Sequence, residues 1–167
     1  MYYSDIVEFD IANGEGVRTS LFVSGCTNKC PGCFNPQTWD FNYGQKFTDD
    51  TIRKIIESLA PDYIKGLSLL GGDPFHPNNQ SEVLRLVREV KKIYPNKDIW
   101  CWTGYYLKTE LTSGGIGYTE DTPELLDLID VLVDGRFIQE LYSPHLEWKG
   151  SSNQTVYRLM DTRKMFN

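Results

Sequence analysis

The sequence predicts an α/β fold around a mostly parallel sheet. Short apolar runs alternate with amphipathic segments along the chain, the pattern of strands joined by helical crossovers. Four of these runs stop at a turn: Ser24-Gly25-Cys26, Gly71-Gly72-Asp73, Thr103-Gly104-Tyr105 and Asp134-Gly135. The chain has 167 residues, which suits a single domain, residues 1–167, with a proper core.

The elements follow in order. Thr19 to Ser24 reads as a strand running into Gly25-Cys26. Thr48-Asp49-Asp50 starts a helix, its acidic residues favoured by the dipole; Ile52, Ile55, Ile56 and Leu59 follow at helical spacing, and Pro61 lies just past the end. Leu67 to Leu70 is a second strand. Ser81 can cap a helix carrying Val83, Leu84, Leu86, Val87, Val90 and Ile93, which Pro95 stops. Asp98 to Trp102 is a third strand, and Thr112 to Gly117 is a loop. Thr122-Pro123-Glu124 opens a helix with proline in its first turn. Asp130 to Val133 is a fourth strand, and Gln154 to Met160 a candidate last one. Gly25 to Phe47 carries no clear element; a loop that long in a compact domain is usually functional or disordered, and this one holds three cysteines.

Composition narrows the function. Charged residues make up 24% of the chain, and 10 Tyr, 8 Phe and 4 Trp argue against disorder. The net charge of −6, with basic residues scattered, speaks against a nucleic-acid module. No run is long and apolar enough to cross a membrane. Met1 to Asp5 shows neither the basic nor the apolar part of a secretory signal, which points to the cytoplasm. In that reducing setting a tight thiol cluster is more often a metal site than a disulfide. No Ser/His/Asp set, paired carboxylate site or phosphate loop stands out. His76 and His145, each beside a proline, read as ordinary loop residues.

In parallel α/β folds the C-terminal ends of strands share one rim, where active sites gather. The four turns therefore predict a single site. Its chemistry lies in Cys26-x3-Cys30-x2-Cys33. Three closely spaced thiolates can hold three corners of a four-iron cube and leave the fourth iron open to a ligand. Other readings remain: a zinc site completed by Cys101 or His76, a four-cysteine electron-transfer cluster using Cys101, or cysteines that merely coexist. Cys101 stands between two tryptophans in an apolar strand and behaves there as a small hydrophobe.

Cysteines so spaced after a first strand resemble the signature of radical S-adenosylmethionine (radical SAM) enzymes. The longer run Val23-Ser24-Gly25-Cys26-Thr27-Asn28-Lys29-Cys30-Pro31-Gly32-Cys33-Phe34-Asn35 resembles the activating proteins of anaerobic ribonucleoside-triphosphate reductases. So do Leu70 to Pro74, Trp102 to Tyr105, Val133 to Phe137 and Gly150-Ser151-Ser152-Asn153-Gln154. Many radical SAM proteins carry an aromatic residue just before the third cysteine; here Gly32 stands there and Phe34 follows.

The resemblance implies an incomplete parallel (β/α) barrel of about six or fewer units, the chain being short for eight. It implies one [4Fe-4S] cluster on Cys26, Cys30 and Cys33, with S-adenosylmethionine (SAM) on the open iron. The activity implied is that of an oxidoreductase: reductive cleavage of SAM to a 5′-deoxyadenosyl radical that makes a glycyl radical on the reductase large subunit. Reduced flavodoxin or a similar protein would supply the electron. For SAM it points to Gly32, Cys33 and Phe34 around the adenine, with Tyr105 a weaker candidate. Gly71, Gly72 and Asp73 would receive the methionyl ammonium, and Thr103 and Asp134 add contacts from two other strand ends. Gly150 to Gln154, turn-like by composition, is a candidate partner contact. Activation of a different glycyl-radical enzyme, or a zinc-binding adaptor without catalysis, remain the alternatives.

Overall fold

A computed structural model describes residues 1–161. It contains one seven-stranded sheet and three α-helices: β1 (Tyr2–Asp10), β2 (Val17–Val23), β3 (Gln45–Lys46), α1 (Asp49–Ser58), β4 (Ile64–Gly71), α2 (Gln80–Ile93), β5 (Asp98–Trp102), α3 (Thr122–Leu128), β6 (Val131–Asp134) and β7 (Thr155–Arg158). The spatial order is β3-β1-β2-β4-β5-β6-β7.

The helices form where the apolar spacing places them. In α1 the Thr51 hydroxyl accepts from the Thr48 N–H at 3.0 Å, satisfying a donor the helix start would otherwise leave free, while Ile52 and Ile55 turn inward. Helix α2 buries Val83, Leu84, Leu86, Val87 and Val90; it starts at Gln80 after Asn79, one residue before the Ser81 cap read from the sequence.

Strands β2, β4, β5 and β6 are mutually parallel, and each gap between β4, β5 and β6 is crossed by a helix. The expected incomplete parallel (β/α) barrel of about six or fewer units is overturned: this is a mixed sheet with only four parallel strands. Strand β1 runs antiparallel to β2, β3 antiparallel to β1, and β7 antiparallel to β6. Connection length explains one edge. Only Ile11 to Gly16 joins β1 to β2, and a parallel crossover needs about a dozen residues or more. At the other edge the long segment between β6 and β7 carries a short 3-10 helix (Gln139–Leu141) and no α-helix. The Gly25 to Phe47 segment is also more ordered than its sequence suggests, with a 3-10 helix at Pro36–Trp39 and the two-residue β3.

The parallel register aligns Leu21, Leu69, Cys101 and Leu132 across the sheet. All four belong to the core, so this row faces the helices. The next row, Ser20, Ser68, Trp100 and Val131, faces the opposite way, because successive side chains alternate. Cys101 is therefore packing, fully buried. Leu69→Ala should cost about 2–5 kcal/mol in urea unfolding. Cys101→Ala should cost about 1 kcal/mol in the same measurement, one small buried group.

Candidate iron–sulfur site

The C-terminal ends of β2, β4 and β5 meet, and buried polar side chains stitch them together. Asp73, just past β4, is 1% exposed. Its Oδ1 accepts from the Thr103 hydroxyl at 2.7 Å and the Phe75 N–H at 2.9 Å. Its Oδ2 accepts from the Gly104 N–H at 2.9 Å and from Asn28 Nδ2 at 3.3 Å. One carboxylate thus ties the β4 turn to the β5 turn and to the cysteine loop. Asn79, ahead of α2, donates through Nδ2 to the carbonyls of Asp73 at 3.0 Å and Ser24 at 3.1 Å. Burial pushes the Asp73 carboxyl up to about 6, against the bonds from Thr103, Gly104 and Phe75.

Two glycines let the turns touch. Gly71 has φ +109°, and a Cβ there would lie 2.5 Å from the Val23 carbonyl oxygen. A Cβ on Gly72 would lie 2.7 Å from the Gly25 carbonyl oxygen and 2.9 Å from that of Thr38. Real Cβ atoms do not approach so closely, so backbone lines the wall at this point.

That wall encloses a cavity of about 660 Å³, within the range of small-molecule sites. Cys26, Cys30, Cys33, Phe34, Gly71, Gly72, Asp73 and Thr103 all line it. Gly32 lies outside, in a neighbouring groove with Phe34, Phe137, Gln139 and Tyr142. Asp134 is not on the cavity wall either; its carboxylate accepts from the Leu107 N–H at 2.8 Å and the Thr155 N–H at 3.3 Å. Tyr105 is 4% exposed and sits in the core. Residues that sequence reading did not assign to SAM also line the cavity: Asn13, Asn28, Trp102, Gly104, Trp148 and Gln154. Trp148 carried no motif; the Trp102 Nε1–H donates to the Trp148 carbonyl at 2.8 Å, a pairing 46 residues apart in the chain.

The three cysteines are free and half-buried. Burial, and then the Asp73 charge, push the Cys26 thiol up to about 11, while N–H bonds from Asn28 and Lys29 favour the thiolate. Burial also raises Cys30, opposed by the Phe137 N–H and the Arg136 charge. The Asn35 N–H donates to Cys33 Sγ at 3.4 Å. Among the described residues no group of three or more His, Cys, Asp or Glu side chains converges on a point that would hold a single metal ion. A zinc ion needs such convergence, with Zn–S about 2.3 Å. A four-iron cube instead takes each thiolate on a separate iron. Three thiols on one cavity wall, with backbone N–H groups directed at their sulfurs, suit the cube.

The chain matches the 4Fe-4S single cluster domain over residues 12–157, a span that takes in all three cysteines and every strand end above. It is thus an iron–sulfur cluster domain. The anaerobic ribonucleoside-triphosphate reductase-activating protein of Escherichia coli (strain K12) is 48% identical over 161 residues, covering 95% of this chain and 99% of that protein. The protein of the same name from Vibrio cholerae serotype O1 is 49% identical over 160 residues, 95% of this chain and 98% of its own. That of Enterobacteria phage T4 is 41% identical over 163 residues, 96% of each. The chain belongs to the family of anaerobic ribonucleoside-triphosphate reductase-activating proteins.

Asp73 supplies a test of the scaffold in iron-free protein. Its pKa is raised on folding from the ordinary 3.8 to about 6, so the native state holds the proton more tightly across that interval. Stability from this group is full below 3.8 and falls as pH rises towards 6, by about 3 kcal/mol. Asp73→Asn should abolish that part of the pH dependence in urea titrations between pH 4 and 7.

Proposed function

We propose that this protein activates an anaerobic ribonucleoside-triphosphate reductase as a radical SAM oxidoreductase, with one [4Fe-4S] cluster held by Cys26, Cys30 and Cys33. When bound, the cluster supplies one electron to the SAM sulfonium, releasing methionine and a 5′-deoxyadenosyl radical that takes a hydrogen atom from a glycine Cα of the reductase large subunit. The observation that carries the reading is the shared wall: three free thiols beside the bare Gly71-Gly72 backbone in one cavity.

The chain's own residues bind, orient and exclude water. Cys26, Cys30 and Cys33 would hold the cluster and leave it open to SAM. The Gly71-Gly72 peptides bring backbone against the methionyl end without a side chain between them. Phe34 offers an apolar face to adenine, and Gly32 gives the loop before it a turn free of side chain. Asp73 and Thr103 act on SAM through the turns they hold, since their mutual bond and the donors on Asp73 already occupy them. Asp134 acts likewise, by fixing the ends of β6 and β7. The electron comes from reduced flavodoxin or a similar small carrier. Among the described residues no helix is long and apolar enough to cross a membrane, which suits work beside such carriers in the cytoplasm.

The test is anaerobic. Purified protein should be brown, with about four irons per chain, and should bleach under dithionite. Mixed with reductase, SAM and reductant, it should generate a glycyl radical seen by electron paramagnetic resonance (EPR). Cys33→Ala should cut SAM cleavage at least a hundredfold. Colourless protein holding one zinc, or full activity in Cys33→Ala, would overturn the assignment.

A further inference from the structure

The cavity has a second wall, away from the cysteines. Phe22, Leu70 and Trp102 line it from the sheet face turned away from the helices. Facing them, Leu146 to Gly150 line it from the loop that follows β6. This stretch is a strap across the helix-free face. The Trp148 ring packs on the Trp100 ring, 5.3 Å between centroids, and the Trp148 carbonyl accepts from the Trp102 Nε1–H at 2.8 Å. Among the described residues that is the one hydrogen bond joining Leu146 to Trp148 to the sheet.

The base of the strap is firmer. The Gly150 and Ser151 N–H groups donate to Gln154 Oε1 at 2.9 and 3.1 Å. Lys149 Nζ donates to the Gln154 carbonyl at 3.0 Å, and the Ser143 N–H to the Gly150 carbonyl at 3.3 Å. Gln154 Nε2 and Asn153 Nδ2 donate in turn to the carbonyls of Gly135 and Arg136, each at 2.8 Å. The Gly150 to Gln154 run thus anchors the strap to the turn after β6. Its tip, by contrast, is costly to close. Trp148 has φ +63°, a left-handed conformation in which a bulky residue is an outlier. Its indole N–H is buried without a partner among the described residues, a donor that water would satisfy if the strap lifted. Strain of this kind persists where the surroundings impose it, and it gathers at clamps and switches. The cysteine side of the cavity differs, because Asp73 and Asn79 close it with bonds to several turns.

We propose that Ser143 to Gly150 is a strap that opens to admit the reductase segment carrying the glycine, with the Trp102–Trp148 bond as its latch. The inference rests on the function proposed above, in which a glycine of a folded partner must reach SAM inside this cavity. With the strap lifted, Phe22, Leu70 and Trp102 form an open apolar floor for an extended chain. The closed strap excludes water until the partner arrives. Reductase affinity then scales with the fraction of molecules whose strap is open.

The test pairs two measurements on iron-replete protein under anaerobic conditions. Tryptic cleavage after Lys149, followed by mass spectrometry, reports the open population; titration with the reductase at saturating SAM gives the affinity. Trp102→Phe removes the latch donor and keeps a ring. It should speed cleavage after Lys149 about fivefold, the weight of one hydrogen bond, and tighten reductase binding by the same factor. Cleavage after Lys54, on α1, should not change. Should Trp102→Phe fail to fold, Trp148→Ala carries the test: it acts on the strap alone, removes the ring seated on Trp100, and should raise both quantities more than fivefold. Faster cleavage with unchanged or weaker reductase binding overturns the proposal, as does a Trp148→Ala strap cut no faster than the wild type. Wild-type protein that neither binds the reductase nor makes a glycyl radical on it would instead strike at the function proposed above.

Discussion

The Asp73 carboxylate is the constraint on which the site depends. An ionised group in a dry interior is costly unless hydrogen bonds replace its water. Here the replacement comes from three different strand ends, Thr103 and Gly104 after β5, Asn28 in the loop after β2, and Phe75 two residues on from Asp73 itself. No single segment could satisfy it. The group therefore favours the one arrangement in which the cysteine loop, the glycine turn and the β5 turn lie together. That arrangement also brings the Gly71 and Gly72 backbones against Val23, Gly25 and Thr38, too close for any side chain.

Beneath this rim the sheet separates two kinds of packing. One face is apolar and buried under the helices. The other carries fully buried Arg18, paired with Asp98 at 2.7 Å and donating to the Ser68 hydroxyl at 2.7 Å and the Leu67 carbonyl at 2.9 Å. Trp100 lies beside the guanidinium, 5.6 Å from ring centre to carbon. A cation buried this deeply persists because its donors are matched, and the match spans β2, β4 and β5. Both faces thus lock the same parallel strands, so the rim inherits a rigid base.

What could be read from the sequence followed from local signals. The three helices and the parallel strands came from apolar spacing, proline and glycine punctuation, and the sharing of one rim by strand ends. The cysteine spacing was equally local. At one edge Gln154 to Met160 was read as a strand, which β7 bears out, but its antiparallel direction was not legible, nor were β1 and β3 at the other edge, and the barrel expectation failed there. In β1, register shifts fall between Tyr3 and Asp5 and between Val7 and Asp10, which breaks the alternation that marks a strand; β3 is too short to have a pattern. Asp134 and Tyr105 came from motif position alone, which does not say to which side of a strand end a side chain turns. Asn79 escaped, and the bonding of Asn153 and Gln154 with it, because these amides bond to backbone at least 17 residues away or to two turns at once. Amide side chains in loops ordinarily serve local turns, so composition hides that work.

This division of labour bears on how the metal site is made. Small metal-stapled domains fold only when the metal arrives, because nothing else fixes their ligands. Here the strand ends are tied by Asp73 and Asn79, and the turn after β6 by Asn153 and Gln154, all without a metal–ligand bond. Burial meanwhile raises the Cys26 and Cys30 thiols, Cys26 most clearly. A cluster held by these cysteines would have to displace the thiol protons at strand ends that are already tied. A cluster bound here would therefore sit on strand ends already tied to one another, with the Asn35 N–H beside the Cys33 sulfur whatever charge the cluster carried.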